Sequence, residues 1–357
     1  MRPLLKPFLH QRDTDNLMLV RDVGDAFELP DPDGQIETLI KLLDGTRTPE
    51  QVTADIRTRW PELTGSDVRD GIAALDQAGL LEDADAVTDL TEAQQLRYTS
   101  GLSFFSTFAT LDRSRYHFQE RLRDTHVVLL GVGGLGSSVL LGLAGSGVGR
   151  ITLLDTDRVE LKNLTRQFLY TESDVGAAKV SRAAARARAT NSTIRVEAVD
   201  RRVTGVADIA PLIDGADLVV CGIDQPVASR YWVNEACVAA GVPWVGGGMT
   251  VTRLVYWSIW PGHSGCLACR DAAGLGPTAT DDAATDLRRW RTNRTIGPMA
   301  SVVAGYVGLE ALRYLTGFAP PVAAARSWLI DVVTGTSTVE VAWDRRADCP
   351  VCGEVLA

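Results

Sequence analysis

The chain of 357 residues contains no apolar run that approaches the roughly 20 residues needed to cross a membrane. Its opening segment, MRPLLKPFLHQRDTD, has two prolines and lacks the apolar core of a signal peptide. Basic residues are not in excess, because 36 Lys and Arg against 45 Asp and Glu give a net charge of −9. Binding of bulk nucleic acid usually requires the opposite sign. These absences predict a cytoplasmic protein that binds neither nucleic acid nor a membrane.

Cysteine is also sparse, yet four of the six cysteines form two C-x-x-C pairs. The paired residues are Cys266, Cys269, Cys349 and Cys352. Each pair places two thiolates on one turn, and two such turns complete a tetrahedral zinc site without an open coordination position. The pattern therefore predicts a structural Zn²⁺, with a pair of redox dithiols as the alternative. Cys221 and Cys237 lie in apolar segments and are expected to be core thiols.

Residues 1–90 read as a small domain of their own. Residues 16–34 alternate apolar and polar side chains and then turn, as a hairpin does. Three helical patterns follow, and one of them opens with a capping box at Thr48 and Gln51. This content predicts a winged-helix-like α+β domain. Its third helical segment and the residues after it carry one arginine and five acids, which disfavours DNA recognition.

Residues 91–122 form a connecting arm, and the pattern changes at residue 123. From there to residue 357, short apolar runs alternate with helical segments. That alternation predicts an α/β fold with a doubly wound, mostly parallel sheet. The polar stretch at 271–298 is interpreted as a crossover loop.

A glycine-rich turn follows the first of these strands, in VVLLGVGGLGSS. The glycines are Gly131, Gly133, Gly134 and Gly136. They let the backbone approach phosphates, and the following helix offers its free N–H groups and positive end. Asp155 ends the second strand, where a carboxylate accepts hydrogen bonds from ribose hydroxyls. This pattern predicts a nucleotide site but does not distinguish NAD, FAD and ATP.

The segment ELKNLTRQFLY at 160–170 makes that distinction, because a triphosphate needs cations at its far end. Arg166 offers a forked contact to phosphate oxygens, and Lys179 begins the next helix as a point charge. Asp224 ends a later strand and can hold Mg²⁺ directly or through water. Each residue alone is typical of a solvated surface, but together they favour ATP.

The residues from GVGGLG to DVGAAKV closely resemble the adenylating enzymes of the ThiF/MoeB and ubiquitin-activating type, and the resemblance runs from about residue 97 to residue 357. It implies a doubly wound fold that often forms a homodimer, and a structural zinc at the four paired cysteines. Carried over residue by residue, the resemblance implies that Gly134 and Asp155 contact the nucleotide. It implies that Asn163, Arg166 and Lys179 face the phosphates. It also implies that Asp224 serves magnesium and the phosphates, and that Asp157 lies near the ribose and the metal.

The chemistry that this resemblance implies is acyl adenylation. A substrate carboxylate attacks the α-phosphate of ATP in line, and pyrophosphate leaves. Cations directed at the developing negative charge supply much of the catalysis. The crossover loop contains no cysteine, so the product is not expected to be held as a thioester.

One departure from the family concerns the arm. The family commonly has an arginine in an RY-x-R-Q context that reaches a phosphate, and Ser100 stands at that position here. Arg113 or Arg115, in the basic run that follows, is the candidate substitute.

Residues 16–83 resemble the PqqD-like domains that recognise leader peptides, through AFELPDPDG, IKLLDGTRTPEQV and ALDQAGLLED. Such a module offers a strand edge beside a helix, where a peptide adds as a further strand. The alternative is a purely structural cap.

Three functions remain open. The first is ATP-dependent adenylation of a carboxylate on a ribosomally made precursor peptide bound through its leader, with a downstream modifying enzyme as a possible partner. The second is a leader-binding scaffold that serves a cyclodehydratase and does not use ATP. The third is adenylation of a small sulfur-carrier protein.

Overall fold

The computed structural model describes residues 1–7, 9–22, 25–275 and 294–353. It divides the chain into two compact units, Met1–Glu120 and Arg121–Ala357. Most of the crossover loop expected at 271–298 lies outside the described residues. Among the residues described, no helix combines the length and the apolar character needed to cross a bilayer.

The first unit contains a three-stranded antiparallel sheet and a two-stranded antiparallel sheet. Three helices lie in the chain between the last strand of the larger sheet and the second strand of the smaller one. The three-stranded sheet has the order β2-β3-β4, with β2 (Leu9–Asp13), β3 (Asn16–Asp22) and β4 (Asp25–Pro30). The helices are α1 (Gln35–Leu42), α2 (Pro49–Ile56) and α3 (Gly65–Gln77). The strands β1 (Pro3–Leu5) and β5 (Leu81–Asp83) pair with each other, and α4 (Glu92–Arg97), α5 (Thr99–Ser106) and α6 (Arg115–Asp124) follow in the chain.

Strand β3 shows why this unit folds. Leu17 and Leu19 are fully buried, whereas Met18 between them is 42% exposed, so one face of the strand packs in the core with the three helices. The capping box at Thr48 is present, and Thr64 forms a second one at the start of α3. The expected strands and helices are therefore present, while the winged-helix likeness stays a prediction.

The segment expected to be a separate arm lies mainly in the first unit. The buried ammonium of Lys6 donates to the carbonyl oxygens of Gly79 at 2.7 Å and Ala109 at 2.6 Å. Farther along, the N–H of Leu111 donates to Asp76 at 2.9 Å. A buried cation must be hydrogen-bonded, and because the partners of Lys6 come from different segments, it holds those segments in one geometry. These contacts explain why the unit extends to Glu120 and does not end near residue 90.

The second unit is built on one eight-stranded sheet with the order β13-β12-β11-β10-β9-β6-β7-β8. Strands β8, β7, β6, β9 and β10 are parallel, and β11 to β13 continue the sheet antiparallel. Their bounds are β6 (His126–Leu130), β7 (Arg150–Leu154), β8 (Arg195–Val199), β9 (Leu218–Cys221), β10 (Trp244–Met249), β11 (Arg253–Ile259), β12 (Arg326–Asp331) and β13 (Thr336–Ala342). This arrangement confirms the expected α/β fold with a large, mostly parallel sheet.

The helices of this unit follow the strands in alternation. They are α7 (Gly134–Ser146), α8 (Lys179–Thr190), α9 (Val206–Ile213), α10 (Ser229–Ala240), α11 (Leu267–Arg270) and α12 (Gly297–Thr316). The chain winds outward from β6 to β8 on one side and from β9 to β10 on the other. The order therefore changes direction between β6 and β9, and ligands of such sheets bind at the carboxyl ends of the strands around that point.

Candidate functional site

A cavity of about 790 Å³ opens at the carboxyl ends of the five parallel strands. Nine of the ten residues predicted to bind the nucleotide line it. They are Gly131, Gly133, Gly134, Asp155, Asp157, Asn163, Arg166, Lys179 and Asp224. The sheet thus brings together side chains that are up to 93 residues apart in the sequence. Their roles in binding stay predictions.

The glycine turn is shaped by close backbone contacts. Gly131 has φ of +90°, and a Cβ there would lie 3.0 Å from the carbonyl group of Gly222. Gly136 differs from the prediction, because it lies inside α7 and does not line the cavity. A Cβ at Gly136 would lie 1.9 Å from the carbonyl oxygen of Gly131, so this glycine lets helix and turn pack together. Its role in the structure is packing, and its expected contact with a phosphate stays a prediction.

Asp155 is fixed by the turn beside it. Its carboxylate accepts the N–H of Val132 at 2.9 Å and the N–H of Asp157 at 2.7 Å. Burial raises the pKa of Asp155 above its ordinary value, and these two hydrogen bonds oppose that shift. Asp155 lines the cavity, and each of its carboxylate oxygens can accept a further hydrogen bond, as a ribose contact requires.

Lys179 and Asp157 form an ion pair at the rim of the cavity. The Nζ atom of Lys179 lies 2.8 Å from Oδ2 of Asp157, and the lysine side chain is 6% exposed whereas the aspartate is 64% exposed. The backbone N–H of Lys179 also donates to the carbonyl oxygen of Asp157 at 2.9 Å. Since an ammonium has three donors, one contact to Asp157 leaves Lys179 able to contact phosphate oxygens as well.

The segment after β7 packs onto the glycine turn. Asn163 ends a short 3-10 turn and accepts the N–H of Glu160 at 3.0 Å. A Cβ on Gly134 would lie 3.8 Å from the Cδ of Arg166, so the arginine stem covers the start of α7. The hydroxyl of Tyr170 donates to the carbonyl oxygen of Val132 at 2.8 Å. These contacts place the guanidinium of Arg166 near the positive end of α7, where a phosphate is expected.

Several cavity residues had no role assigned to them from the sequence. Gln167 is 3% exposed, and the Oε1 of its buried amide has no hydrogen-bond partner among the described residues. Arg201 and Arg202 follow β8, and Gly247 and Gly248 end β10. The signal for the arginines was present in the sequence, because they follow the apolar run IRVEAV, which is itself predicted to be a strand of the parallel sheet.

Asp224 follows β9, lines the cavity and is exposed. Within the described part of the chain, the cysteine set is the one group of three or more potential metal ligands that converge. A magnesium ion at Asp224 would therefore take most of its ligands from phosphate oxygens and water, as Mg²⁺ commonly does.

The four paired cysteines converge as expected. All are buried, and their sulfur atoms lie within 4.8 Å of one another. The Sγ atoms of Cys266 and Cys349 are 3.7 Å apart, and those of Cys269 and Cys352 are 3.3 Å apart. A tetrahedral site with metal–sulfur bonds of about 2.3 Å requires sulfurs about 3.8 Å apart, so the set fits such an ion closely. The backbone N–H of Arg346 lies 3.4 Å from Cys269 Sγ and supports that thiolate.

The two remaining cysteines are core residues, as predicted. Cys221 and Cys237 are buried in the same apolar cluster, and burial raises the pKa of Cys221 to about 11. A thiol in that state is a poor nucleophile at neutral pH.

Both candidate substitutes for the family arginine have partners inside the first unit. Arg115 forms an ion pair with the largely buried Glu82, and the guanidinium of Arg113 lies 4.9 Å from the ring centroid of Phe118. Their proposed contact with a phosphate stays a prediction.

Comparison with known proteins shows which sequences the second unit resembles. A model of the ThiF family matches residues 106–351. The sulfur carrier protein ThiS adenylyltransferase of Escherichia coli K12 is 33% identical over 257 residues, which cover 70% of this chain and 94% of that protein. The molybdopterin-synthase adenylyltransferase of the same organism is 30% identical over 273 residues, which cover 75% of this chain and all of that protein.

Solved structures of E. coli MccB share the fold over a longer stretch. The structure of MccB with ATP has a TM-score of 0.80 at 21% identity and covers 99% of this chain and 100% of that one. The structure described as the microcin C7 biosynthetic enzyme MccB in complex with N-formylated MccA has a TM-score of 0.78 at 21% identity, with the same coverage. This likeness is one of fold, and it includes the residues before 106, where the match to the ThiF model begins.

Proposed function

The chain belongs to the ThiF family, and on that premise we propose that it adenylates a carboxylate of a ribosomally made precursor peptide whose leader binds to the first unit. The protein is an adenylyltransferase that uses ATP, as its curated relatives and its fold together indicate. One observation carries the peptide proposal. The ThiS adenylyltransferase matches over 94% of its own length but only 70% of this chain, so this chain has an additional region. MccB, which shares the fold over the whole chain, has been solved with MccA bound.

The nucleotide is proposed to lie along the carboxyl ends of β6 and β7. Its phosphates occupy the glycine turn and the start of α7, and its ribose hydroxyls donate to Asp155. Arg166 and Lys179 contact the β- and γ-phosphates, and Asn163 supports the same end. Asp224 is the residue that would hold Mg²⁺, and the ion would supply positive charge to the phosphates there. The positions of these side chains around one cavity support this assignment.

The reaction follows from this placement. A carboxylate oxygen of the peptide forms a bond to the α-phosphorus, and the bond from that phosphorus to the bridging oxygen breaks, with pyrophosphate as the leaving group. Negative charge grows on the departing pyrophosphate, and Arg166 and Lys179 stabilise it there. The acyl-adenylate that results is activated for a later nucleophile, which forms the amide or a related bond.

The carboxylate is proposed to enter on the other side of the cavity, at the ends of β9 and β10. Gly222, Gly247 and Gly248 line that side, so side chains leave room for an extended peptide end. A Cβ at Gly248 would meet nothing within 4 Å, which supports open space at this position.

The first unit is proposed to bind the leader. Its three-stranded sheet has two edge strands, β2 and β4, and an edge strand can pair with an added peptide strand. The core lies on one face of this sheet, since Leu17 and Leu19 are buried and Met18 is not. Binding through the main chain tolerates a leader of varied sequence.

Two further assignments accompany this proposal. The cysteine set is proposed to hold a structural Zn²⁺, because its four sulfurs leave no position for substrate. A homodimer is also proposed, and the exposed apolar side chains of Leu161, Phe168 and Ile296 in the second unit support a covered surface.

The test is pyrophosphate release by the full-length protein with ATP, Mg²⁺ and a candidate precursor peptide chosen from the short reading frames near its gene. Release should require all three components, and a peptide lacking its leader should be a much poorer substrate. Equal release with the peptide omitted or shortened would contradict the peptide proposal.

The sulfur-carrier function is a second candidate, because the named relatives at 30–33% identity include a ThiS adenylyltransferase. A carrier protein ending in Gly-Gly should then support pyrophosphate release where the peptide does not. The scaffold without ATP chemistry has no comparable support, since the protein is an adenylyltransferase and retains Arg166, Lys179 and Asp224 in the cavity.

A further inference from the structure

Two adjacent arginines line the cavity without a role in the chemistry described above. Arg201 and Arg202 follow β8 after one residue, Asp200, and are both exposed. Within the part of the chain that the structure describes, neither guanidinium takes part in a hydrogen bond or an ion pair, although Arg201 acts electrostatically on Asp208. Two cationic groups side by side at the rim of a ligand cavity are available for a ligand.

The strand order defines which part of the ligand they face. The glycine turn follows β6, Asp155 follows β7, and the arginines follow β8, and these three strands are neighbours in that order. Adjacent strands lie about 4.8 Å apart, so the arginine end is about 10 Å from the phosphate end. A nucleotide with its phosphates at the turn and its ribose at Asp155 therefore extends its base toward β8.

We propose that Arg201 and Arg202 bind the nucleobase of ATP, with a guanidinium plane against the face of the purine. A guanidinium is planar and weakly hydrated and stacks on aromatic faces, which an ammonium group does not do. Leu154 and Val203 line the same region and are buried, so they provide an apolar floor on the other side of the base. The inference rests on the proposed placement of the nucleotide and not on the identity of the carboxylate substrate.

An alternative role for Arg201 and Arg202 is to contact phosphate. Base stacking and phosphate binding differ in how they respond to lysine substitution and to ligands without a base. A phosphate contact depends mainly on charge, so it would be kept in part by lysine and would affect any polyphosphate. Base stacking depends on the planar group, so it is lost with lysine and affects only ligands that have a base.

The experiment is titration of Mg²⁺-ATP and of inorganic tripolyphosphate into the full-length protein and its variants, by calorimetry. Arg201→Ala and Arg202→Ala should weaken ATP binding, and the double variant should weaken it by about tenfold or more. Tripolyphosphate binding should change by less than about twofold in the same variants. Arg201→Lys with Arg202→Lys should fail to restore ATP binding.

Arg195→Ala is the matched control, because Arg195 is exposed at the amino end of the same strand. It should bind both ligands as the parent does, and thermal unfolding of every variant checks that folding is unchanged. Parallel losses for ATP and tripolyphosphate, or recovery by lysine, would overturn the base assignment in favour of phosphate binding. Unchanged ATP binding in the double alanine variant would overturn it as well. None of these results depends on a peptide, so they are independent of the proposed peptide substrate.

Discussion

The two units differ in what their sequences must specify. The second unit needs particular groups at particular places, and Gly131, Asp155 and Lys179 meet in one cavity although they belong to three different elements. The first unit needs only an alternating strand and helices that cover it, as Leu17 and Leu19 illustrate. Chemistry constrains residue identity, whereas binding through a strand edge constrains mainly the fold. If the first unit binds a leader as proposed, this difference would account for a match to the ThiF model that begins at residue 106 and a likeness in fold to MccB that covers nearly the whole chain.

The units also differ in charge. Residues 1–120 contain 22 acidic and 12 basic side chains, a net charge of −10, whereas residues 121–357 contain 23 acidic and 24 basic ones, a net charge of +1. A triphosphate site requires local cations, and the second unit has them without a general excess. The acidic first unit is unsuited to an anionic partner. The charge difference agrees with the proposed division, in which the second unit binds the nucleotide and the first unit binds a neutral or basic peptide, and the predictions below test that division.

The largest effect is expected from loss of the proposed zinc. Cys349→Ser removes one of four converging thiols, and metal binding to such sites contributes about 10 kcal/mol or more in small domains. The variant should lose bound zinc and the cooperative unfolding transition of the second unit, while binding of the leader peptide is kept. Metal analysis and calorimetry measure this.

Cys237→Ala is the control for this prediction, since Cys237 is buried in the same apolar core but is not one of the four sulfurs that converge. It should keep one zinc ion per chain. A Cys349→Ser protein with normal zinc content and normal unfolding would show that the four cysteines are not a metal site.

The next effect concerns chemistry in the second unit alone. Lys179→Ala removes a buried cation at the phosphate end and should lower the rate of peptide-dependent pyrophosphate release by about 10²–10³-fold. Peptide binding should change by less than about twofold, as fluorescence titration measures. Arg182→Ala is the matched control. Arg182 lies about one turn farther along α8 and outside the cavity, so this variant should keep the rate of pyrophosphate release unchanged. If Lys179→Ala weakened peptide binding as strongly as it slowed the reaction, the division between the units would be incorrect.

A third effect concerns the first unit alone. Leu19→Ala creates a cavity in the core of the first unit, where Leu19 of β3 is buried. The variant should lower the free energy of unfolding of this unit by about 2–5 kcal/mol. Leader binding should weaken, whereas ATP binding to the second unit should stay the same. Met18→Ala is the matched control on the same strand, and its 42% exposed side chain predicts a much smaller change in stability.

These predictions depend on features that sequence reasoning reached to different extents. The cysteine pairs and the glycine turn were predictable because local spacing alone defines them. The packing role of Gly136 could not be predicted, since its contact with the Gly131 carbonyl depends on how helix and turn pack. Arg201 and Arg202 were missed because their position depends on β8 lying beside β7, which the order of strands in the sheet decides. Likewise, residues 91–120 belong to the first unit through Lys6 and Arg115, whose partners are distant in sequence.

The smallest effect is expected from salt, and it tests the difference in charge between the units directly. If the first unit attracts a leader of positive net charge, peptide affinity should fall by up to about tenfold when NaCl is raised from about 50 mM to about 500 mM. A leader variant whose lysines and arginines are replaced by glutamine should bind more weakly at low salt and respond little to its increase. The main-chain contacts proposed for strand addition would remain in both peptides, so residual binding at high salt measures their share. An affinity that is independent of salt for both peptides would mean that the acidic surface keeps the unit soluble and does not select its partner.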